Sequence, residues 1–195
     1  MPPLPAPLPS FPTAPDLLAP VHAFRDWRIS PEGLASPRTG DEWRGRVMTA
    51  QCRPRTPEAL IEAPHRAPGQ DCSCGVHAYF RPNHETSRVD YSGVTGVVTV
   101  WGHLAVHENG LRAEFAQVEA LSVYSRWTRR QKALVGDVAS ELGVDVVDLE
   151  ELEQAAHRYA TAMPAGMIPT PQATLTHRRR RRPAVQPRRL VIVEA

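Results

Sequence analysis

The stretch from Cys52 to Phe80, CRPRTPEALIEAPHRAPGQDCSCGVHAYF, holds all three cysteines of the chain (Cys52, Cys72, Cys74) and two of its eight histidines, His65 and His77. Thiolate and neutral imidazole are the ligands zinc prefers, and a closed structural site takes four in a tetrahedron. The spacing Cys52-x12-His65-x6-Cys72-x-Cys74 supplies a Cys3His set. Pro54, Pro57, Pro64, Pro68 and Gly69 keep both intervals from becoming helix, so a looping chain can return its ligands to one point. The Cys-x-Cys pair is tighter than the usual two-residue gap of a finger. Two readings compete with a metal: a disulfide, and three unliganded thiols. Residues i and i+2 of an extended chain sit near the upper limit for bridging, and a Cys52 bridge to either partner strands one thiol. The expectation is therefore a structural Zn2+ on Cys52, His65, Cys72 and Cys74, whose ligation replaces core that a small sheet lacks. Loss of the ion should then unfold the domain.

Working outward, strand patterns flank this stretch. Residues 21–29, VHAFRDWRI, put Val21, Ala23, Trp27 and Ile29 on one face with period two, interrupted only by Arg25. Gly33, Pro37 and Gly40 mark turns, and Leu34-Ala35-Ser36 can pair back. Trp43 and then residues 46–52 read as a second strand that delivers Cys52; residues 74–80 read as a short one ending at Pro82. A polar loop over 83–93 leads to VTGVVTVWGHLAVH (94–107), dense in β-branched residues and interrupted by Gly96 and Gly102, where bulges or bends are expected. Glu108-Asn109-Gly110 reads as a hairpin turn in which Asn-Gly supplies positive φ. Residues 111–119 return with Leu111, Ala113 and Phe115 on one face, Arg112 and Glu114 on the other. Short strands with glycine bends predict a small curved sheet or barrel.

Helical periodicity appears only afterwards. Thr128-x-x-Gln131 is a capping box ahead of the stripe Leu134, Val135, Val138, Ala139, Leu142, and Gly143 is a fitting stop. A short extended piece follows at Val144 to Val147. Asp148-x-x-Glu151 then reads as a cap for a second helix with Leu149, Leu152, Ala155, Ala156 and Tyr159 as its stripe. A helix-turn-helix over 128–160 is disfavoured because Glu150, Glu151 and Glu153 open its second helix, and phosphates repel them. His103 and His107 lie about 13 Å apart along a strand, too far to share one ion. His107, Glu108, Arg112 and Glu114 read as cross-strand ion pairing rather than acid/base machinery.

Several motifs together resemble a family of small actinobacterial and actinophage proteins of unassigned activity. They are FRDWRI at 24–29, the lone Cys52, His65-Arg66-Ala67-Pro68, Cys72-Ser73-Cys74-Gly75-Val76-His77-Ala78, Trp101-Gly102, and His107-Glu108-Asn109-Gly110-Leu111-Arg112-Ala113-Glu114. The resemblance spans roughly residues 22–150 and implies a shared domain without bringing a function. The family pattern carries tyrosine where this chain has His77. That makes His65 the fourth ligand and His77 the alternative.

The 195 residues leave room for one domain and its tails. The expected organisation is α+β and mainly antiparallel: a proline-rich arm at 1–20, a zinc-stabilised domain at 21–160 with two helices packed on the sheet, and a flexible tail at 161–195. The arm carries eight of the 20 prolines and favours polyproline II. Overall charge is +2, but residues 177–195 hold Arg178, Arg179, Arg180, Arg181, Arg182, Arg188 and Arg189 against Glu194 alone, a net of +6 that leaves the rest at −4. The body as a whole is no polyanion binder, so such binding must come from the tail or from a local patch. Residues 190–193, LVIV, have the propensity to add to a sheet edge. No apolar run approaches a membrane span and no phosphate-cradling loop is present, so neither a membrane nor a small-molecule substrate is indicated. The N-terminus lacks a signal-peptide pattern, and the expected location is cytoplasmic. The functional expectation is a non-enzymatic binding or regulatory module that contacts nucleic acid through the tail, with a protein-interaction adaptor as the alternative.

Overall fold

β-branched side chains are stiff at χ1 and pack well on a pleated surface, and they crowd the middle of this chain. There β6 (Gly93–Val106) and β7 (Gly110–Val123) form a long antiparallel hairpin. The computed structural model describes residues 19–52, 65–69, 72–82 and 93–170. β1 (Val21–Ser30) runs antiparallel along the outer edge of β6, from Val21↔Val100 to Arg28↔Gly93. β2 (Gly33–Ala35) folds back on the end of β1, and β3 (Glu42–Trp43) pairs with β2. The second edge of β7 takes three short strands in succession. β5 (Val76–Tyr79) pairs with residues 110–113, β4 (Val47–Thr49) with 115–117, and β8 (Asp145–Asp148) with 120–123. β5 also meets β1 at Phe24↔Tyr79, so pairings run from β1 to β6 to β7 to β5 and back to β1.

The fold is thus α+β with a mainly antiparallel sheet and two short helices. β8 is the exception, lying parallel to β7. Parallel neighbours need a long crossover, and α1 (Arg129–Leu142) supplies it. The capping box at its start forms as the sequence requires: Gln131 N–H donates to Thr128 Oγ1 at 3.3 Å and Thr128 N–H to Gln131 Oε1 at 2.9 Å. Asp148 makes no such cap. The chain there winds one 3₁₀ turn, Leu149–Glu151, before the brief α2 (Leu152–Ala156). With a strand between the helices, residues 128–160 do not form a helix-turn-helix.

Alternation along β1 divides the interior in two. Val21, Ala23, Trp27 and Ile29 face a main core closed by Val135, Val138 and Ala139 of α1. Phe24 faces a second core with Val97, Ala120, Leu149, Leu152 and Ala156. Arg25 stays on the apolar face. Its guanidinium lies 5.3 Å from the Trp43 ring centre and 5.9 Å from that of Trp27, and it donates to the His77 carbonyl. Burial lowers its pKa to about 10. Contact with two indole faces offsets part of that desolvation cost.

Three further expectations change. β7 continues to Val123 rather than stopping at 119, through Ala120 and Ser122, which have little strand propensity of their own but are buried between β6 and β8. The body also runs past 160: Val21 bridges Thr161, Met163 is buried, and Ile168 packs on the main core. Finally, the hairpin at Glu108-Asn109-Gly110 forms without positive φ at Asn109 or Gly110. Gly110 is instead a point of close approach, where a Cβ would lie 2.2 Å from the Ala78 carbonyl oxygen. Residues 1–18, the loop 83–92, and the tail with Arg178–Arg182, Arg188, Arg189 and LVIV lie outside the described residues. Among those described, no helix is long and apolar enough to cross a membrane.

Candidate metal centre

The first half of β7 is the platform on which the cysteine stretch is assembled. β4 pairs with it, and beyond β4 the Ala50 N–H donates to the Glu114 carbonyl at 2.7 Å, which sets Cys52 two residues further on. Arg66, next to His65, grips the Glu114 carboxylate with both sides of its fork, Nε to Oε1 at 2.7 Å. That contact holds the Glu114 carboxyl below its ordinary pKa. Glu114 also accepts the His103 amide at 3.0 Å. The Arg112 guanidinium reaches into the Cys-x-Cys turn, with Nη1 donating to the carbonyls of Gly69 (3.3 Å), Cys74 (3.1 Å) and Cys72. Its Nε donates to His107 Nε2 at 3.2 Å. Arg112 and Glu114 therefore do not pair across the hairpin with each other or with Glu108. They reach outward and hold the loop.

Two glycines make the turn possible. Gly75 has φ of 119°, and a Cβ there would meet Arg112 Cβ at 2.9 Å and Pro68 Cβ at 3.0 Å. At Gly69 a Cβ would sit 2.4 Å from His65 Nε2.

These supports bring Cys52, His65, Cys72 and Cys74 together, with ligand atoms all within 4.8 Å of one another. The Sγ atoms of Cys52 and Cys72 are 3.7 Å apart, His65 Nε2 is 3.2 Å from Cys74 Sγ, and the Gly69 amide donates to Cys74 Sγ at 3.2 Å. A tetrahedron with 2.3 Å zinc–sulfur bonds has sulfur–sulfur edges of about 3.8 Å, so the donor set fits such an ion in kind and in spacing. The cysteines are half-buried and His65 is exposed. All three thiols are free. Burial pushes the Cys52 thiol up to about 11, while the Cys74 backbone amide, the largest influence on Cys72, helps bring that thiol down to about 7. His77 stands apart: its Nε2 contacts the Ser73 carbonyl at 3.0 Å, and burial lowers its pKa, with Arg25, Arg112 and Arg38 adding to the effect.

None of the four candidate ligands belongs to either hydrophobic core. Arg66, Arg112 and Glu114 were not singled out as supports by residue chemistry. Yet they sit inside the two motifs quoted above, His65-Arg66-Ala67-Pro68 and Leu111-Arg112-Ala113-Glu114, and those motifs grip each other in space. Comparison with family models, curated proteins and solved structures finds no match to this chain.

Proposed function

We propose that this chain is a non-enzymatic binding module: a zinc-pinned β domain that contacts nucleic acid through its arginine-rich C-terminal segment. The observation that carries the reading is the convergence of Cys52, His65, Cys72 and Cys74. Four protein donors complete a tetrahedral zinc and leave no position for a reacting water, which favours a structural ion over a hydrolytic one. The circuit of pairings through β1, β6, β7 and β5 supports closure of the sheet into a small barrel. Free thiols fit a reducing compartment, and the cytoplasm is the proposed location.

The nucleic-acid half of the reading rests on Arg178–Arg182, Arg188 and Arg189. Adjacent guanidiniums displace counterions from phosphates and give salt-dependent affinity without sequence preference. The body is a poor alternative. Asp145, Asp148, Glu150, Glu151 and Glu153 are all exposed over β8 and α2 and repel a polyanion there. The test is binding to mixed-sequence DNA and RNA across a salt series, for the intact chain and for residues 1–170. Steep salt dependence that disappears with the tail is expected; equal binding by both forms rejects the tail as the contact.

A protein-interaction adaptor is the second reading. Among the described residues β4 and β8 pair on one side only, and each exposes an apolar side chain, Val47 at 51% and Val146 at 43%. Such edges accept a strand from a partner. The adaptor reading predicts partner capture that survives neutralisation of the arginines.

A further inference from the structure

We propose that Cys52 and Cys72 form an oxidation site, a thiol pair that a hydroperoxide converts to a disulfide; the consequence for zinc drawn below rests on the metal reading above. Their sulfurs are 3.7 Å apart and both residues are partly exposed, so a small oxidant can reach them. A disulfide requires about 2.05 Å between sulfurs. The approach is open to this pair because the two residues come from separate segments, one beyond β4 and one in the turn before β5.

Cys74 is differently placed. Its sulfur already takes the Gly69 amide at 3.2 Å and lies 3.2 Å from His65 Nε2. Its distance from Cys72 in sequence is two residues, a separation that strains a bridge. The structure therefore assigns the bridge to Cys52 and Cys72 and leaves Cys74 as a thiol.

The chemistry balances with one hydroperoxide. One thiolate of the pair attacks the peroxide, the O–O bond breaks, an alcohol (or water, for hydrogen peroxide) departs, and the sulfur becomes a sulfenic acid. The second thiolate attacks that sulfur, the S–S bond forms, the S–O bond breaks, and water leaves with the second proton. The two sulfurs together give up two electrons, the number the peroxide consumes. Two of four zinc donors are thereby withdrawn. The ties that hold the turn to β7, Arg112 to three carbonyls and Arg66 to Glu114, involve no sulfur and survive. A dithiol then restores both thiols on a loop still in place.

The experiment uses the full chain, reduced, offered equimolar zinc, and treated with equimolar hydrogen peroxide. Zinc release is followed with a chromogenic chelator, and linkages are mapped by mass spectrometry of unreduced peptides. The expected result is a Cys52–Cys72 peptide, alkylatable Cys74, release of zinc in step with the bridge, and recovery on adding dithiothreitol. Cys74→Ser should still form the bridge, and Cys52→Ser should not. A Cys72–Cys74 link, bridges between chains, or sulfinic acids without a bridge overturn the proposal. A chain that takes up no zinc yet forms the Cys52–Cys72 bridge supports the oxidation site and sinks the metal reading. Zinc retained over unreacted thiols does the reverse.

Discussion

Arg112 holds the turn that carries two of the candidate ligands. One nitrogen serves three carbonyls of the ligand turn, so the guanidinium fixes where Cys72 and Cys74 present their sulfurs. Lysine keeps the charge but loses the planar fork. Arg112→Lys should weaken zinc affinity by about 10- to 100-fold, the usual cost of a lost supporting contact, with the circular dichroism spectrum unchanged. Chelator competition measures it, and wild-type affinity would show the clamp to be dispensable. Gly69→Ala should act on the same site by another route. The new Cβ displaces the His65 ring, 2.4 Å away, without touching the sheet. Zinc binding should weaken while the melting temperature of the metal-free protein holds. The convergence of Cys52, His65, Cys72 and Cys74 was legible because thiol and imidazole announce their chemistry by residue type. Arg112 was not, because a cation near Glu108 and Glu114 in a hairpin reads as a cross-strand ion pair, and its partners in the turn are backbone carbonyls that leave no trace in sequence.

Among the elements, β5 depends on an approach that only glycine allows. Gly110→Ala would push a methyl group into the Ala78 carbonyl oxygen, a backbone atom that cannot step aside. A loss of about 2–3 kcal/mol is expected on denaturant titration, at the large end for a single substitution; a change below about 0.5 kcal/mol would show that β5 can drift from β7 at little cost. The hairpin was therefore visible in the sequence but its reason was not, since the turn signal of Asn109-Gly110 hides a packing requirement from Ala78, 32 residues upstream in the chain. β8 was hidden likewise: Val144 to Val147 reads as extended, but nothing local declares a parallel partner. The segment just beyond α2 is latched to β1 by His22, whose Nδ1 meets the Ala160 carbonyl at 2.8 Å and whose ring stacks edge-on against His157 at 4.7 Å. Burial lowers the His22 pKa, and His157 adds to that while Glu153 opposes it. The folded state thus resists a proton that the unfolded chain accepts near 6.5. The resulting stability is fully present above that pH and is lost as pH falls below it. Unfolding titrations at pH 7.5 and 5.5 should differ less for His22→Gln than for wild type; an equal difference would place the pH dependence elsewhere.

For the molecule as a whole, the candidate metal site and the main core are built from different residues. The main core needs β1, β6, β7 and α1, and none of the four candidate ligands contributes to it. Removing zinc should therefore lower the melting temperature yet leave slow amide exchange in β6 and β7, with protection lost around residues 65–75. Complete loss of slow exchange would restore the view that the ion makes the fold. Fold class was legible from periodicity, with β-branched runs ahead of the capped helix at Thr128. What was not legible was the size of the core, because buried positions on both faces of β1 obscure simple alternation: His22, Phe24 and Asp26 are buried as well as Ala23 and Trp27.

The most direct test of the central claim is the metal content of the full-length reduced chain after exposure to equimolar zinc and removal of excess, measured by elemental mass spectrometry for wild type, Cys72→Ser and His77→Ala. One zinc per chain in wild type and in His77→Ala, with none retained by Cys72→Ser, is the predicted result. A metal-free wild type, or zinc that persists in Cys72→Ser, would contradict the assignment of Cys52, His65, Cys72 and Cys74 as its ligands.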